Sequence, residues 1–348
     1  MSMPQYSFVI PVYNEEETLE PLCQRIAALL DQLDAPAEVL LVDDGSHDAS
    51  YRIMCDVHAR DARFKVIGLS RNFGHQNAIT AGMDLASGRA VVVMDADLQD
   101  PPEVVLEMIA KWKEGYHIVY ACRSRRAGES WFKKSTAHLF YRLIGNLSTV
   151  PIPHDVGDFR LVDRAALRAF QSLRENNRYV RGMFSWLGFQ QTAVYYERAE
   201  RFAGETKYPL KKMLKFATDG IVSFSNVPLQ LALNLGFLFS ALSFLTGISA
   251  VALKWMGYTI PGWTSQVLIL SFFFGVQLLV TGMMGEYVGR IYEEVKHRPL
   301  YIVREMHGLA SDTRALRRAV LPADLDEWRR PPIGMRAPAG IDEIGSLV

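Results

Sequence analysis

The sequence predicts an α/β domain on a mostly parallel sheet, then an amphipathic interface helix and two transmembrane helices. Three observations predict it. Between residue 5 and about 165, short β-branched runs alternate with segments of helical apolar spacing. No charged residue occurs from Gly220 to Leu253, and none from Trp255 to Gly285. Lysines and arginines flank those runs, while the stretch between them holds only Lys254. The boundaries drawn are 1–204 for the soluble domain and 205–227 for the interface helix. Residues 228–288 hold the membrane helices with a short hairpin at 254–263. A C-terminal segment, 289–348, is expected to be mobile or only locally helical after about 305.

In chain order, "YSFVIPV", "EVLLVDD", "FKVIGLS", "RAVVVMDAD" and "HIVYACR" read as strands. Helical spacing lies between them, as in Leu19, Leu22, Ile26, Leu29 and Leu33. That alternation gives βαβ units with right-handed crossovers. Such sheets bind ligands at the carboxyl ends of their strands. The chemistry is therefore expected in "VYNEE", "VDDGS", "SRNFG", "DADLQD" and "CRSRR".

Leu210, Met213, Leu214, Ala217, Ile221 and Phe224 would share one helical face, with Lys211, Lys212 and Lys215 on another, a pattern suited to a membrane surface. Leu229–Leu253 would make roughly 37 Å of helix at about 1.5 Å per residue, enough to cross a bilayer. Thr264–Met284 is the second span. Lys207, Lys211, Lys212 and Lys215 precede the first span, and Arg290, Lys296 and Arg298 follow the second. The positive-inside rule then places both ends and the soluble domain on the cytoplasmic side of the plasma membrane. Trp255, Tyr258 and Trp263 would anchor the hairpin at the far interface. Gly236/Ser240, Ser243/Gly247 and Gly285/Gly289 are small-xxx-small pairs that permit close helix packing, so a homo-oligomer is expected.

Composition excludes several classes. The chain of 348 residues balances 38 basic against 38 acidic side chains, so no global field draws it to nucleic acid. Three cysteines form no CxxC pair, and eight histidines form no HExxH. The first apolar run, "YSFVIPVY", meets "NEEE" at once, which argues against a secretory signal. No GxGxxG follows a strand and no GxxxxGK[ST] occurs, so a dinucleotide site and a P-loop are disfavoured. The absence of ionisable residues inside the two spans argues against a transporter.

"VVVMDADLQDPPE" raises the sharpest chemical question. Clustered carboxylates at a strand end repel unless something positive joins them. Asp95, Asp97 and Gln99 alternate, so on an extended segment their side chains would point one way and offer hard oxygen ligands to Mg²⁺ or Mn²⁺ beside a nucleotide. A metal-free reading has the acids capping a helix that starts at Pro101-Pro102. It accounts for Asp100 and leaves Asp95 and Asp97 unexplained. "VDDGS" reads either as a ligand turn or as a turn with a helix cap at Ser46 or Asp48.

In their order and spacing, "VIPVYNEE", "LVDDGSHDAS", "LSRNFGHQNAITAGMDLASG" and "MDADLQDPPE" resemble the family 2 glycosyltransferases of the GT-A fold. "DVGDFRLVDR", "RFAGETKY" and "GEYVGRIYEEVKHRPLY" narrow the likeness to bacterial polyisoprenyl-phosphate glycosyltransferases. These are the bactoprenol glucosyltransferases of the Gtr type, the aminoarabinose transferases and, more distantly, dolichyl-phosphate mannose synthase. The match covers about residues 5–303. The resemblance implies a nucleotide sugar, UDP-linked, as donor and undecaprenyl or a related polyprenyl phosphate as acceptor. It implies inverting transfer of one sugar at the membrane, for cell-envelope glycan modification, by a chain that assembles as a tetramer. Pro11, Tyr13 and Glu15 match the family's first nucleotide-contacting segment, and Asp44 the residue that reads the base, with Asp43 bracing the turn. Asp95, Ala96 and Asp97 match the DxD at the nucleotide, with Asp95, Asp97 and Gln99 at the metal. Arg123 and Lys134 match basic residues for the donor or acceptor phosphates, and Arg201 and Lys207 a loop that closes over the diphosphate. Asp158 matches the acid taken as catalytic base. A lipid monophosphate whose second pKa lies near 6 hardly needs a base at pH 7, so Asp158 is equally read as orienting the acceptor. The sugar itself is not legible: formamido-aminoarabinose, N-acetylglucosamine and mannose stand beside glucose. A processive synthase is disfavoured because "RYVRGMFSW" is not QxxRW, and a non-catalytic nucleotide-sugar scaffold is the remaining alternative.

Overall fold

The computed structural model describes residues 4–123, 156–196 and 262–309, with scattered positions between 232 and 256. Its elements begin β1 (Tyr6–Val12), α1 (Leu19–Leu30), β2 (Ala37–Asp43), α2 (Ser50–Arg60), β3 (Phe64–Leu69), α3 (His75–Leu85), β4 (Ala90–Val93), α4 (Val104–Lys113) and β5 (Ile118–Arg123). They continue β6 (Val156–Asp163), α5 (Arg164–Ser172), α6 (Val180–Trp186), β7 (Gln191–Tyr196), α7 (Trp263–Val295) and β8 (Val303–His307).

The strands form one sheet in the order β7-β5-β6-β4-β1-β2-β3-β8. β1 pairs in parallel with β2 and β4, β2 with β3, and β5 with β7. β6 runs antiparallel between β4 and β5, and β8 antiparallel along β3. The expected mostly parallel α/β sheet is therefore present. β1 and β2 are apolar almost throughout because both faces are covered. One core cluster packs Leu19, Leu22, Ile26 and Met108 beneath one face. The other packs Ala78, Ile79, Leu167, Phe170 and Phe184 against the opposite face. At Gly82 of α3 a Cβ would stand 2.3 Å from Val9 Cγ1, so only glycine lets that helix lie so close to β1.

The directions of the strands decide which residues meet. The carboxyl ends of β1 to β5 share one edge with the amino ends of β6 and β8, because those two strands run the other way. A residue opening β6 thus joins the loops after β1, β2, β3 and β4.

Among the described residues α7 alone is long and apolar enough to cross a membrane, through Phe272–Val295. Its 33 residues contain the expected second span and continue past Glu286 and Arg290 to Val295. The helix thus reaches beyond the apolar run as a charged stem. Glu294 at its end accepts from Asn176 N at 2.7 Å and Asn176 Nδ2 at 3.1 Å. The first expected span, Leu229–Leu253, lies mostly outside the described residues, as do most of the hairpin 254–263 and the whole of the interface helix 205–227. Phe239 is described, and its ring meets Phe272 and Phe273 edge-on at 5.6 and 5.7 Å.

The chain returns to the sheet after α7. Residues 303–307, expected near the onset of a mobile or locally helical tail, form β8 on the edge of the sheet. The reason is that an open β3 edge offers backbone partners, and Tyr301 just before β8 is fully buried with its hydroxyl donating to Asp84 Oδ2 at 2.9 Å. Residues 310–348 lie outside the described residues.

Candidate active site

The loops after β1 and β2 are knitted together. Asn14 N donates to Ser46 Oγ at 3.1 Å, and His47 N donates back to Asn14 Oδ1 at 2.9 Å. Glu15 N reaches Ser50 Oγ, and Ala49 N reaches Glu16 Oε2, both at 2.9 Å. Asn14 holds φ 54°, uncommon for a residue with a side chain. Pro11 is buried in β1, Glu15 Oε2 accepts from Thr18 Oγ1 at 3.1 Å, and the Tyr13 ring is left exposed. An exposed aromatic beside a fixed loop suits stacking of a base.

In "VDDGS" both acids brace backbone. Asp43 accepts from Ser46 N at 3.0 Å, the turn-bracing role expected of it. Asp44 is buried and accepts from Phe73 N at 2.7 Å and Gly74 N at 3.0 Å. Burial raises its pKa, partly offset by those two amides. Asp44 therefore clamps the loop that leads into α3, which the sequence reading did not foresee. Gly45 allows it: φ is +72°, and a Cβ there would meet Arg71 C at 2.6 Å.

Beyond β4 the acids do not alternate along an extended chain. The strand ends at Val93, and Leu98 adopts φ 59°. Asp97 Oδ1 folds back to accept from Gln99 N at 3.1 Å, and Gln99 is buried. The common direction expected of Asp95, Asp97 and Gln99 is thus lost, because a turn has replaced the pleat. Nor does Asp100 cap the next helix. Its Oδ1 accepts from Tyr196 Oη, and α4 starts only at Val104, after Glu103. Ala96 is buried beside them.

Asp158 stands near the start of β6, and the register Val93↔Arg160 brings it alongside Asp95. His75, first residue of α3, places Nε2 3.4 Å from Asp95 Oδ1 and 3.3 Å from Asp158 Oδ2. Burial opposes charge on that ring, but the Asp158 hydrogen bond and the charges of both acids push its pKa up to about 9. Arg181 on α6 donates Nε to Asp158 Oδ1 at 3.0 Å and Nη2 to Oδ2 at 3.2 Å, a bidentate pair. Gln76 Nε2 donates to Asp158 Oδ2 at 3.2 Å, and Arg160 Nη2 lies 3.7 Å from Oδ1. Burial alone would raise the pKa of Asp158; Arg181 and His75 reverse it and hold the carboxyl well below the usual range. Burial raises Asp95, helped by the charges of Asp158, Asp100 and Asp97 and opposed by His75. Burial lowers Arg160 to about 10, which leaves it cationic at neutral pH.

The site edge thus gathers Pro11, Tyr13, Glu15, Asp44, Asp95, Ala96, Asp97, Gln99 and Asp158. Arg123 closes β5 at the same edge, its side chain outside the described residues, as are Lys134, Arg201 and Lys207 altogether. Four neighbours of Asp158 were given no role from sequence: His75, Gln76, Arg160 and Arg181. They lie in "SRNFGHQNA", "DVGDFRLVDR" and "RYVRGMFSW", but contact with Asp158 depends on two crossovers.

The donor set fits a hard divalent cation. Asp95 Oδ1 is buried without a hydrogen bond, and Asp97 lies two residues on. Among the described residues no three His, Cys, Asp or Glu side chains form a cage of their own. Such a cation would draw its remaining ligands from nucleotide oxygens and water.

A family model described as "Glycosyl transferase family 2" matches residues 7–170. The "Uncharacterized glycosyltransferase YkcC" of Bacillus subtilis is 54% identical over 88% of this chain and 95% of its own length. The "Uncharacterized glycosyltransferase sll0501" of Synechocystis is 46% identical over 88% and 96%. The "SfII prophage-derived bactoprenol glucosyl transferase" of Shigella flexneri is 39% identical over 86% of this chain and 98% of its own. Among solved structures, mannosyl-3-phosphoglycerate synthase from Rubrobacter xylanophilus aligns over 76% of this chain and 80% of its own. It is 16% identical with a TM-score of 0.43, too loose a likeness to carry an argument.

Proposed function

Because the chain belongs to glycosyl transferase family 2, we propose that it moves one sugar from a UDP-linked donor to undecaprenyl phosphate or a close polyprenyl relative. The transfer takes place at the cytoplasmic face of the membrane, with inversion at the anomeric carbon. The product is a polyprenyl-phosphate sugar for cell-envelope glycans. The likeness to a bactoprenol glucosyl transferase over 98% of that relative's length supports the acceptor class. The observation that carries the reading is the route of the chain out of α7. Eight residues after Val295 it enters β8 at the site edge, where Ser70 N donates to Ile302 O at 2.9 Å. The end of α7 also meets the chain just ahead of α6, where Glu294 accepts from Asn176 N at 2.7 Å. On α6 itself Arg181 pairs with Asp158, the side from which a membrane-borne phosphate would have to arrive.

In this reading Pro11, Tyr13, Glu15 and Asp44 line the nucleotide end. Asp95, Asp97 and Gln99 would hold Mg²⁺ or Mn²⁺, which when bound neutralises charge on the donor diphosphate. Arg123, Lys134, Arg201 and Lys207 serve the phosphates. His75 and Arg181 orient groups around Asp158. The acceptor phosphate oxygen bonds to the anomeric carbon while the bond to the diphosphate oxygen breaks and its electron pair leaves with the nucleotide. A single displacement of this kind inverts the centre. The assembly is a homo-oligomer, packed through its membrane helices.

The test uses full-length protein in detergent with undecaprenyl phosphate, Mg²⁺ or Mn²⁺ and a panel of nucleotide sugars, read by mass spectrometry. One donor yields a glycosylated lipid phosphate, and chelator abolishes the product. Binding of UDP without lipid product from any donor would overturn the reading in favour of a nucleotide-sugar scaffold.

A further inference from the structure

Asp158 is surrounded more completely than a proton acceptor needs to be. Both oxygens are gripped by Arg181 at 3.0 and 3.2 Å, and Gln76, His75 and Arg160 complete the ring at 3.2 to 3.7 Å. Two guanidiniums, those of Arg181 and Arg160, therefore meet at this one carboxylate. The bidentate pair uses two of the five N–H donors of Arg181. Its side chain is 32% exposed, against 5% for Asp158. Among the described residues the remaining donors meet no partner, and they can serve an anion.

The sheet order decides which anion. From the "VDDGS" turn on β2 the edge passes through β1 and β4 to β6. That is three strand spacings, roughly 14 Å at about 4.8 Å each. With the nucleotide end at β1 and β2 and the diphosphate at β4, as proposed above, β6 and α6 lie beyond the sugar. An attacking group must come from there to invert the anomeric carbon.

Resting on that reading, we infer that Arg181, with His75 beside it, seats the attacking phosphate of the lipid acceptor. Asp158 is the positioning residue that holds both side chains and takes no proton. The step balances without a base. The acceptor enters as a dianion and leaves as a monoanionic diester, and the unit of negative charge it gives up departs on the nucleoside diphosphate. A cation at the acceptor phosphate therefore stabilises the ground state at least as well as the transition state. Its loss weakens acceptor binding more than it slows the chemical step.

The experiment is steady-state kinetics of full-length wild type, Arg181→Gln and Arg181→Lys, with acceptor and donor varied separately. Thermal midpoint and UDP binding by calorimetry are measured for each variant. Arg181→Gln raises the acceptor KM about ten- to hundredfold, the loss of charge-assisted hydrogen bonds. Donor KM, UDP affinity and kcat at saturating acceptor stay within about twofold. Arg181→Lys, which keeps the charge and loses the fork, falls between. If Arg181→Gln does not fold, Arg181→Lys decides, and an unchanged acceptor KM in it overturns the inference. A rise in donor KM or UDP dissociation with acceptor KM unchanged gives the seat to the donor diphosphate and overturns it too, while sugar transfer by the wild type leaves the function standing. Wild type that glycosylates no polyprenyl phosphate overturns both.

Discussion

At the amino edge of the sheet, Glu38 is buried and every neighbour serves it. Ser7 Oγ and Ser87 Oγ donate to Oε1 at 2.6 Å, Ser87 N at 2.8 Å, and Lys65 Nζ reaches Oε2 at 2.5 Å. At the carboxyl edge, Asp95 and Asp158 stand side by side, Asp95 Oδ1 accepts no hydrogen bond, and two residues with side chains sit at positive φ. The difference teaches where this fold stores strain. One acid with a full set of donors holds β1, β2 and β3 together. Several acids sharing one histidine are poised for a ligand that brings the missing charge.

Breaking the carboxyl edge should cost catalysis and spare the fold. Asp97→Ala is expected to lower sugar transfer by about 100-fold or more, the scale of losing a charge-stabilising group. Its thermal midpoint should stay near wild type, and a midpoint fall matching the rate loss would show the acid to be structural. Breaking the amino edge should do the reverse. Glu38→Ala strands Lys65 and two serines and is expected to destabilise by about 2–3 kcal/mol in denaturant titration. That is below the range for a fully buried pair, because Lys65 keeps some contact with water. Turnover per folded molecule should not change.

The same pair of edges can be sharpened with pH. Burial would raise the Glu38 pKa, but Lys65 and the serines outweigh it and hold it below its ordinary value. Its contribution is therefore full above the unfolded value of about 4.3 and is lost as pH falls through the folded one. The stability gap between wild type and Glu38→Gln should close below about pH 4 in urea melts, and a gap that widens on acidification would reverse the sign argued here. A smaller effect is expected at the hinge between loops. Gly45→Ala forces a Cβ toward the Arg71 carbonyl carbon at φ +72° and should cost about 1–3 kcal/mol. UDP affinity should fall with it, since Asp44 loses its grip on residues 73–74. The smallest is Asn176→Ala, about 1 kcal/mol, which removes the Nδ2 bonds to Glu294 Oε2 and Glu293 O, keeps the backbone N–H on Glu294, and should raise amide exchange in residues 294–302 alone.

The strands, their alternation with helices and the carboxyl edge as the place for chemistry were legible in the sequence. Apolar runs of β-branched residues and helical spacing are local properties, and "DADLQD" stands out against "VVVM" whatever its surroundings. The charge-free stretch that became α7 was equally plain, since length and hydropathy need no tertiary partner. Tertiary structure alone decided what the acids do. A turn at Leu98 replaced the alternation expected of Asp95, Asp97 and Gln99, and Tyr196 claimed Asp100 from 96 residues away. Strand order and direction joined Asp158 to His75, Gln76 and Arg181, which come from three separate stretches of the chain with it. The same rule brought residues 303–307 back to β3, far behind them in the chain. Pairing across a sheet is a long-range event, set by which edge is open and which way each strand runs, and neither is written into any short stretch of residues.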